Sequence, residues 1–414
     1  MNYNEEQLEA INSAASHVVV VAPPGSGKTA SMIGAIQKFL KDNPKANIIA
    51  ITFTRNAAAE LSHKLYDTGD NVQVSTIHSW SLKELNKLGV KYKFKVSLLE
   101  ETKIRDRLAG LSRELGYYTL NQNSLFLYVN GNYNLDLTQS VKNKFKRILN
   151  AYIAWKRAND LYDFTDLPLY LYNMLSRYNE EIITVDGLFV DEFQDVDEVQ
   201  AQIFEKVIAK KYFYIGDPDQ SIYVFRGCTP ENLNQLTGFT KYKLIRNYRS
   251  YQAILDYSTQ IQEKDTYDLL SIQKLKPSWV YCVRQEEYGE VYSGNEYEEC
   301  FDLVHNKEVD LYETFLVFLL KKPFILCRSN KEVKKIKELG YEWVSTIHQA
   351  KGLEYSNVVV SNMTLDNMEE RNIGYVACTR AQNGLFIIDF NMLYRLLFSM
   401  IRDYNEQIKG GVLF

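Results

Sequence analysis

Ala22-Pro23-Pro24-Gly25-Ser26-Gly27-Lys28-Thr29 is the stretch that decides the fold. It follows the β-branched run Val18 to Val21 and precedes an apolar-periodic segment reaching about Leu40. Strand, tight loop and helix N-terminus in that order form an anion cradle, in which backbone N–H groups and the helix dipole face phosphate. Gly25 and Gly27 let the backbone wrap closely without a Cβ, Lys28 supplies a mobile charge, and Thr29 is placed to hold Mg²⁺. The pattern departs from G-x-x-x-x-G-K-[ST] at Ala22, and Pro23 and Pro24 remove two N–H donors upstream. Nucleotide binding follows; which reaction follows it does not.

Working outward, the first 83 residues alternate strand and helix, the pattern of a parallel, doubly wound sheet. Asn47 to Phe53 and Val72 to Thr76 read as strands, and Ala57 to Leu61 starts a helix. From about Leu82 to Asp160 strand signals fade into helical periodicity. Val141, Phe145, Ile148 and Leu149 fall at helical spacing, so this region is expected to be a helical insertion. The sheet resumes at Gly187 to Val190 and Tyr212 to Ile215, and a second α/β unit is expected from about Lys241. Its strands are expected at Lys243–Ile245, Phe324–Leu326, Trp343–Thr346, Val358–Val360 and Leu385–Ile388.

At 414 residues, two or more domains are expected. The 46% hydrophobic and 24% charged content is that of a globular protein. The longest apolar run, near Phe315 to Leu320, falls short of the ~18 residues a membrane span needs. The N-terminus lacks a signal-peptide layout, so a cytoplasmic protein without membrane association is expected. Cys228, Cys282, Cys300, Cys327 and Cys378 are scattered, which argues against zinc, iron–sulfur or disulfide frameworks. The net charge of −4 gives no general attraction to nucleic acid. Binding to it would need a local basic groove and stacking on some of the 30 Tyr and 20 Phe.

Asp191-Glu192, after an apolar run, supplies what a phosphate loop requires. We assign Asp191 to the metal and Glu192 to the general base. Gln220 lies at a strand end, where it can sense the γ-phosphate. The cluster Gln220 to Gly227 mixes polar, aromatic and cationic residues, which suits an element touching nucleotide and a stacked base.

The ordered motifs resemble those of UvrD/Rep/PcrA-type helicases of superfamily 1 over nearly the whole chain. Asn4-Glu5-Glu6-Gln7 resembles the adenine-reading motif, and Ala at the first position of the phosphate loop is itself usual there. Thr52 to Ala58, Ser75 to Ser79, Asp163 to Leu167, Asp191 to Asp195 and Gly216 to Tyr223 follow in order. Asn247 to Ser250, Ile347 to Tyr355 and Tyr375 to Ala381 complete the series.

The resemblance implies two RecA-like P-loop NTPase lobes, α/β in class, with ATP and Mg²⁺ held between them. The first would comprise residues 1–83 and 161–240, with a helical insertion at 84–160; the second would comprise 241–414. ATP would be bound by Gln7, Gly25, Ser26, Gly27, Lys28, Thr29, Tyr248, Gly352 and Glu354, with metal at Thr29 and Asp191. Lys28, Glu192 and Gln220 would act in catalysis, and Arg249 and Arg380 would serve as arginine fingers. DNA contacts would fall to Phe53, Thr54, His78, Tyr223, Phe225, Arg226, Thr346 and His348, with Phe225 replacing the family's usual Trp.

What is implied is an ATP-dependent 3′-to-5′ motor on single-stranded DNA and single-strand/duplex junctions, unwinding duplex. The alternative is a translocase that strips bound proteins without processive unwinding. A monomer is expected, in a bacterial or phage-infected cytoplasm, with single-strand-binding, replication or recombination proteins as partners. Two departures from the family bear on this choice. Only Lys331 to Gly340 stands where the family carries a large second insertion (2B), and no hairpin signal follows Arg380. A small-molecule kinase would share the loop but not the second arginine-bearing lobe. A non-hydrolysing scaffold would be expected to lose Lys28, Glu192 or Arg380.

Overall fold

The computed structural model describes residues 2–66, 71–130, 135, 137–178, 183–223, 228, 233, 235–262, 269–272, 279–284, 287–293 and 311–409. By contacts the chain forms two compact units. The first is Met1–Val21, Lys28–Pro218 and Tyr223–Lys243, and the second is Ala22–Gly27, Asp219–Ile222 and Leu244–Phe414.

In the first unit, α1 (Glu5–Ile11) leads into β1 (His17–Val21), then α2 (Lys28–Asp42), β2 (Ile48–Thr52), α3 (Arg55–Lys64), β3 (Val72–Thr76) and α4 (Ile77–Tyr92). Helices α5 (Glu101–Glu114), α6 (Gln122–Val129) and α7 (Gln139–Ala158) follow, then α8 (Leu167–Arg177), β4 (Ile183–Thr184) and β5 (Gly187–Val190). Next come α9 (Glu198–Glu205), β6 (Val207–Ile208), β7 (Lys211–Gly216) and β8 (Thr240–Lys243). Among the described residues the main sheet has the order β3-β2-β5-β7-β1-β8, with every pairing parallel. Strands β4 and β6 make a small parallel pair of their own.

Every residue of β2 and β5 is buried, which is what a parallel sheet covered on both faces demands of its inner strands. Side chains of Val19, Ile51, Val190 and Tyr214 meet Trp80, Leu85, Leu171 and Phe204 in one core. Helix α4 therefore packs with this sheet. The helices after it gather a separate core of Ile104, Leu108, Leu125, Phe145, Ile148 and Tyr152. Phe145 and Ile148, two of the residues expected on one helical face, are fully buried there.

Strand β8 pairs with β1 along Val18–Val21, so residues 240–243 close the first sheet. The strand expected over Lys243–Ile245 is thus displaced: its pairing partner is a strand of the first unit, and the second unit resumes at Leu244.

That unit continues with β9 (Arg246–Asn247), α10 (Gln252–Ile261), β10 (Leu270–Ser271), β11 (Trp279–Arg284), β12 (Glu287–Ser293), α11 (Leu311–Leu320) and β13 (Phe324–Cys327). It ends with α12 (Asn330–Glu338), β14 (Val344–Thr346), β15 (Tyr355–Ser361), α13 (Met368–Cys378), β16 (Ala381–Ile388) and α14 (Phe390–Lys409). Among the described residues its main sheet runs β12-β11-β16-β15-β13-β14, parallel except for the antiparallel β11–β12 pair. Phe315 and Phe318 of α11 pack on Phe386, Val359 and Ile325, so the longest apolar run serves the core. No helix of the described residues is long and apolar enough to cross a membrane.

Candidate nucleotide site and nucleic-acid interface

In the first unit, β1 and β5 flank β7 and run parallel, so their C-terminal ends share one edge of the sheet. Thr29 enters α2 after the first strand, and Asp191-Glu192 follow the second. Glu192 adopts φ +52°, a left-handed conformation that turns its side chain out of the line of β5. Its Oε2 lies 3.1 Å from Lys28 Nζ. The same oxygen accepts from Gln194 Nε2 at 2.6 Å.

Burial, followed by the neighbouring Glu192 carboxylate, pushes the Asp191 carboxyl up to about 7, with Lys28 opposing the rise. A buried carboxylate that resists ionisation favours a bound cation as compensation. One carboxylate and a threonine hydroxyl, completed by phosphate and water, suit Mg²⁺. The loop fits a phosphate equally well: Gly25 and Gly27 have φ of +71° and +86°, and the first turn of α2 carries no acidic residue.

Gln194 was not singled out from sequence. It is fully buried; besides its bond to Glu192, its Oε1 accepts from Asp217 N at 2.9 Å. A Cβ on Gly216 would come within 2.4 Å of that oxygen, so the glycine is what allows this approach. The acidic motif and the loop after β7 are thereby joined through one amide side chain. Nothing but its place beside Glu192 marks it in the sequence.

The second unit gathers Gln220, Arg249, Arg380, Glu354 and Lys351. Gln220 is buried; its carbonyl accepts from Lys351 Nζ at 2.8 Å and its Oε1 from an Arg380 terminal nitrogen at 3.4 Å. Arg380 is 1% exposed and also bonds the Val376 and Leu353 carbonyls. Arg249 pairs with Glu354 at 2.6 Å and donates to the Thr379 carbonyl at 3.3 Å. Tyr248 is 37% exposed, and its N–H donates to the Gly25 carbonyl at 2.7 Å. Gly352 has φ +87° with open space at its Cβ position. Ser26 is buried and turns its hydroxyl onto the Pro23 carbonyl at 2.6 Å. Gln7 is buried too, in a capping box at the start of α1, where its Oε1 accepts from Asn4 N at 3.1 Å.

Several expected DNA contacts lie beyond the C-terminal ends of first-unit strands. Phe53 stacks on Tyr223 with centroids 5.0 Å apart. Thr54 is exposed and caps α3 through its hydroxyl. His78 stacks on Phe164 at 5.1 Å, and the Arg55 guanidinium lies 5.5 Å from the centre of that ring. Phe164, 36% exposed, was not among the expected contacts. Its turn is held by Lys156, whose Nζ reaches Asp163 at 2.6 Å and Asp166 at 2.5 Å. In the second unit Thr346 is buried and His348 is half-buried. Phe225 and Arg226 lie outside the described residues.

A family model described as the UvrD/REP helicase N-terminal domain matches residues 3–241. A second, described as the UvrD-like helicase C-terminal domain, matches residues 341–388. The chain is 28% identical over 300 residues to a probable DNA helicase II homolog of Mycoplasma capricolum, covering 64% of this chain and 41% of that protein. It is 30% identical over 291 residues to the ATP-dependent DNA helicase Rep of Escherichia coli, covering 62% and 42%. Against a probable DNA helicase of Mycoplasma pneumoniae, identity is 25% over 460 residues, covering 94% of this chain and 83% of that protein. The chain spans about two fifths of the length of the first two relatives.

Proposed function

Because the chain belongs to the UvrD/REP helicase family, we propose that it is an ATP-dependent motor on DNA. The observation that carries this reading is the placement of Lys28, Asp191 and Glu192 on one sheet edge, with Lys28 on Glu192 at 3.1 Å. In the proposal the loop Gly25–Thr29 holds the phosphates and Mg²⁺ sits on Thr29 and Asp191. Mg²⁺ would supply neutralisation of phosphate charge. Lys28 would pass from Glu192 to a phosphate oxygen, leaving that carboxylate to take a proton from the attacking water.

Gln220, Arg249 and Arg380 are read as acting on the same nucleotide, Tyr248 and Gln7 as holding adenine, and Gly352 and Glu354 as lining its site. Arg249 and Arg380 would each have to exchange a present bond for a phosphate oxygen. We assign residues 1–92 and 161–243 to the first lobe, 93–160 to its helical insertion and 244–414 to the second lobe, because α4 and β8 pack with the first sheet.

The DNA-facing reading rests on Phe53, Tyr223, Thr54 and His78, with Phe164 added. Aromatic pairs beside exposed polar groups suit stacked bases and a phosphate backbone. Thr346 and His348 are proposed backbone contacts, and Phe225 and Arg226 keep that proposal from sequence. We propose 3′-to-5′ movement on single strands, with unwinding of duplex at a junction.

A translocase that displaces bound proteins is the second reading. It is favoured by the short α12 between β13 and β14 and by the direct passage from β16 into α14. Duplex oligonucleotides with a single 3′ or 5′ tail separate the two. Strand separation of the 3′-tailed duplex alone supports the first reading. Clearance of a bound protein from single strands without strand separation supports the second, and separation of only the 5′-tailed duplex would refute the polarity.

A further inference from the structure

Asn247 has no task in the reading above, yet it is only 1% exposed. Its Nδ2 donates to the Pro24 carbonyl at 2.6 Å. Its Oδ1 accepts from the backbone N–H of Arg249 at 2.8 Å and of Ser250 at 2.7 Å. The surroundings dictate which way round the amide lies: two N–H groups need an acceptor, and a carbonyl needs a donor. Beside it, Tyr248 N donates to the Gly25 carbonyl at 2.7 Å. A Cβ on Gly25 would come 2.6 Å from Arg249 Cβ and 2.9 Å from Asn247 Nδ2, so the loop comes this close only with glycine there. Beyond Asn247 the turn is tied to β16 by Ser250 Oγ donating to the Ala381 carbonyl at 2.6 Å.

We propose that Asn247 is a positioning residue that latches the phosphate loop to the turn carrying Arg249, so that the loop's conformation sets that guanidinium. The proposal rests on reading the loop and Arg249 as parts of one ATP site. It also gives the two prolines a place. Pro23 and Pro24 lack N–H donors, but both carbonyls are used, by Ser26 and by Asn247. Neither proline has an N–H to satisfy, and the ring of each restricts the conformations open to the loop.

Asn247→Asp separates the two functions of the side chain. It keeps the acceptor for Arg249 N and Ser250 N, and it replaces the donor to Pro24 with an oxygen that repels the carbonyl. The measurement is ATP turnover at saturating ATP and single-stranded DNA, with Mg·ATP affinity measured separately. Turnover is expected to fall on the order of 10²-fold, the cost of a misplaced catalytic group. Nucleotide affinity is expected to change by less than about threefold, since a group acting in the transition state leaves ground-state binding alone. Asn247→Asp added to Arg249→Ala should lower turnover no further than Arg249→Ala does.

Wild-type turnover in Asn247→Asp, affinity loss equal to the turnover loss, or effects that multiply with Arg249→Ala would each overturn the latch. If Asn247→Asp does not fold, Asn247→Ser carries the same test, because its hydroxyl retains an acceptor near the turn and cannot reach Pro24. Lys28→Ala tells the two readings apart. Its retention of turnover removes the ATP site and the latch together. An inactive Lys28→Ala beside a fully active Asn247→Asp removes the latch alone.

Discussion

Lys28 Nζ stands 3.1 Å from Glu192 Oε2, across 164 residues of sequence. The two groups proposed for phosphate binding and general-base work are brought together by β1 and β5, parallel strands that flank β7. Lys28→Ala is expected to abolish measurable ATP hydrolysis. Glu192→Gln, which keeps shape and removes the base, should lower turnover by about 10²- to 10⁴-fold. Steady-state phosphate release checks both, and near-normal turnover in either variant would remove these assignments.

Asp191 gives a pH dependence. Its folded-state value, about 7, is raised above the ordinary carboxylate value, so the folded protein holds this proton more tightly than the unfolded chain. Metal-free stability should therefore decline as pH rises from about 4 toward about 7. On the proposed assignment Mg²⁺ displaces the same proton, so its apparent affinity should rise up to about tenfold per pH unit below about 7 and level off above it. Titration calorimetry across pH 5.5 to 8.5 reads this slope, and Asp191→Asn should abolish it.

Lys156 is buried between Asp163 and Asp166, and Tyr152 donates its hydroxyl to Asp163 at 3.1 Å. Removing one member of a buried ion cluster leaves uncompensated charge, a loss of about 3–5 kcal/mol. Lys156→Met should show that loss in urea denaturation. It should also weaken single-strand affinity, because the turn it holds carries Phe164. Unchanged stability and unchanged DNA affinity would contradict the role given to this cluster.

The stacked Phe53 and Tyr223 make a further prediction. Phe53→Ala should weaken single-stranded DNA binding by about 1–3 kcal/mol, the scale of one base–aromatic stack. ATP turnover without DNA should stay near wild type. Fluorescence anisotropy with a labelled oligonucleotide, run beside a DNA-free turnover assay, checks both halves.

The strand–loop–helix around Gly25–Thr29 was legible because three local signals agree: a β-branched run, closely spaced glycines and an apolar-periodic helix. Strands β2, β5, β7, β13, β15 and β16 were legible as short apolar runs. Helix α4 was less so, because its periodicity does not say which core it joins. Only packing puts Trp80, Leu85 and Leu88 against the sheet. The end of the first sheet was misplaced because Thr240–Lys243 is an exposed edge strand that hydrophobic patterning does not mark. Trp279 to Arg284 carried strand-forming residues, yet its pairing with β16 lies about 100 residues away in sequence and has no local signature.

Among the candidate site residues, motif positions carry a sequence signal, whereas the amides that join them do not. Gln194 and Asn247 are ordinary polar residues until the fold surrounds the first with one donor and one acceptor, and the second with two donors and one acceptor. Hydrogen-bond complementarity of that kind is a tertiary property.

The most direct test of an ATP-driven DNA motor is ATP turnover by the purified chain with and without a single-stranded oligonucleotide. Turnover should rise more than about tenfold on DNA addition, saturate with DNA concentration and vanish in Lys28→Ala. Turnover that is the same with and without DNA would contradict the account.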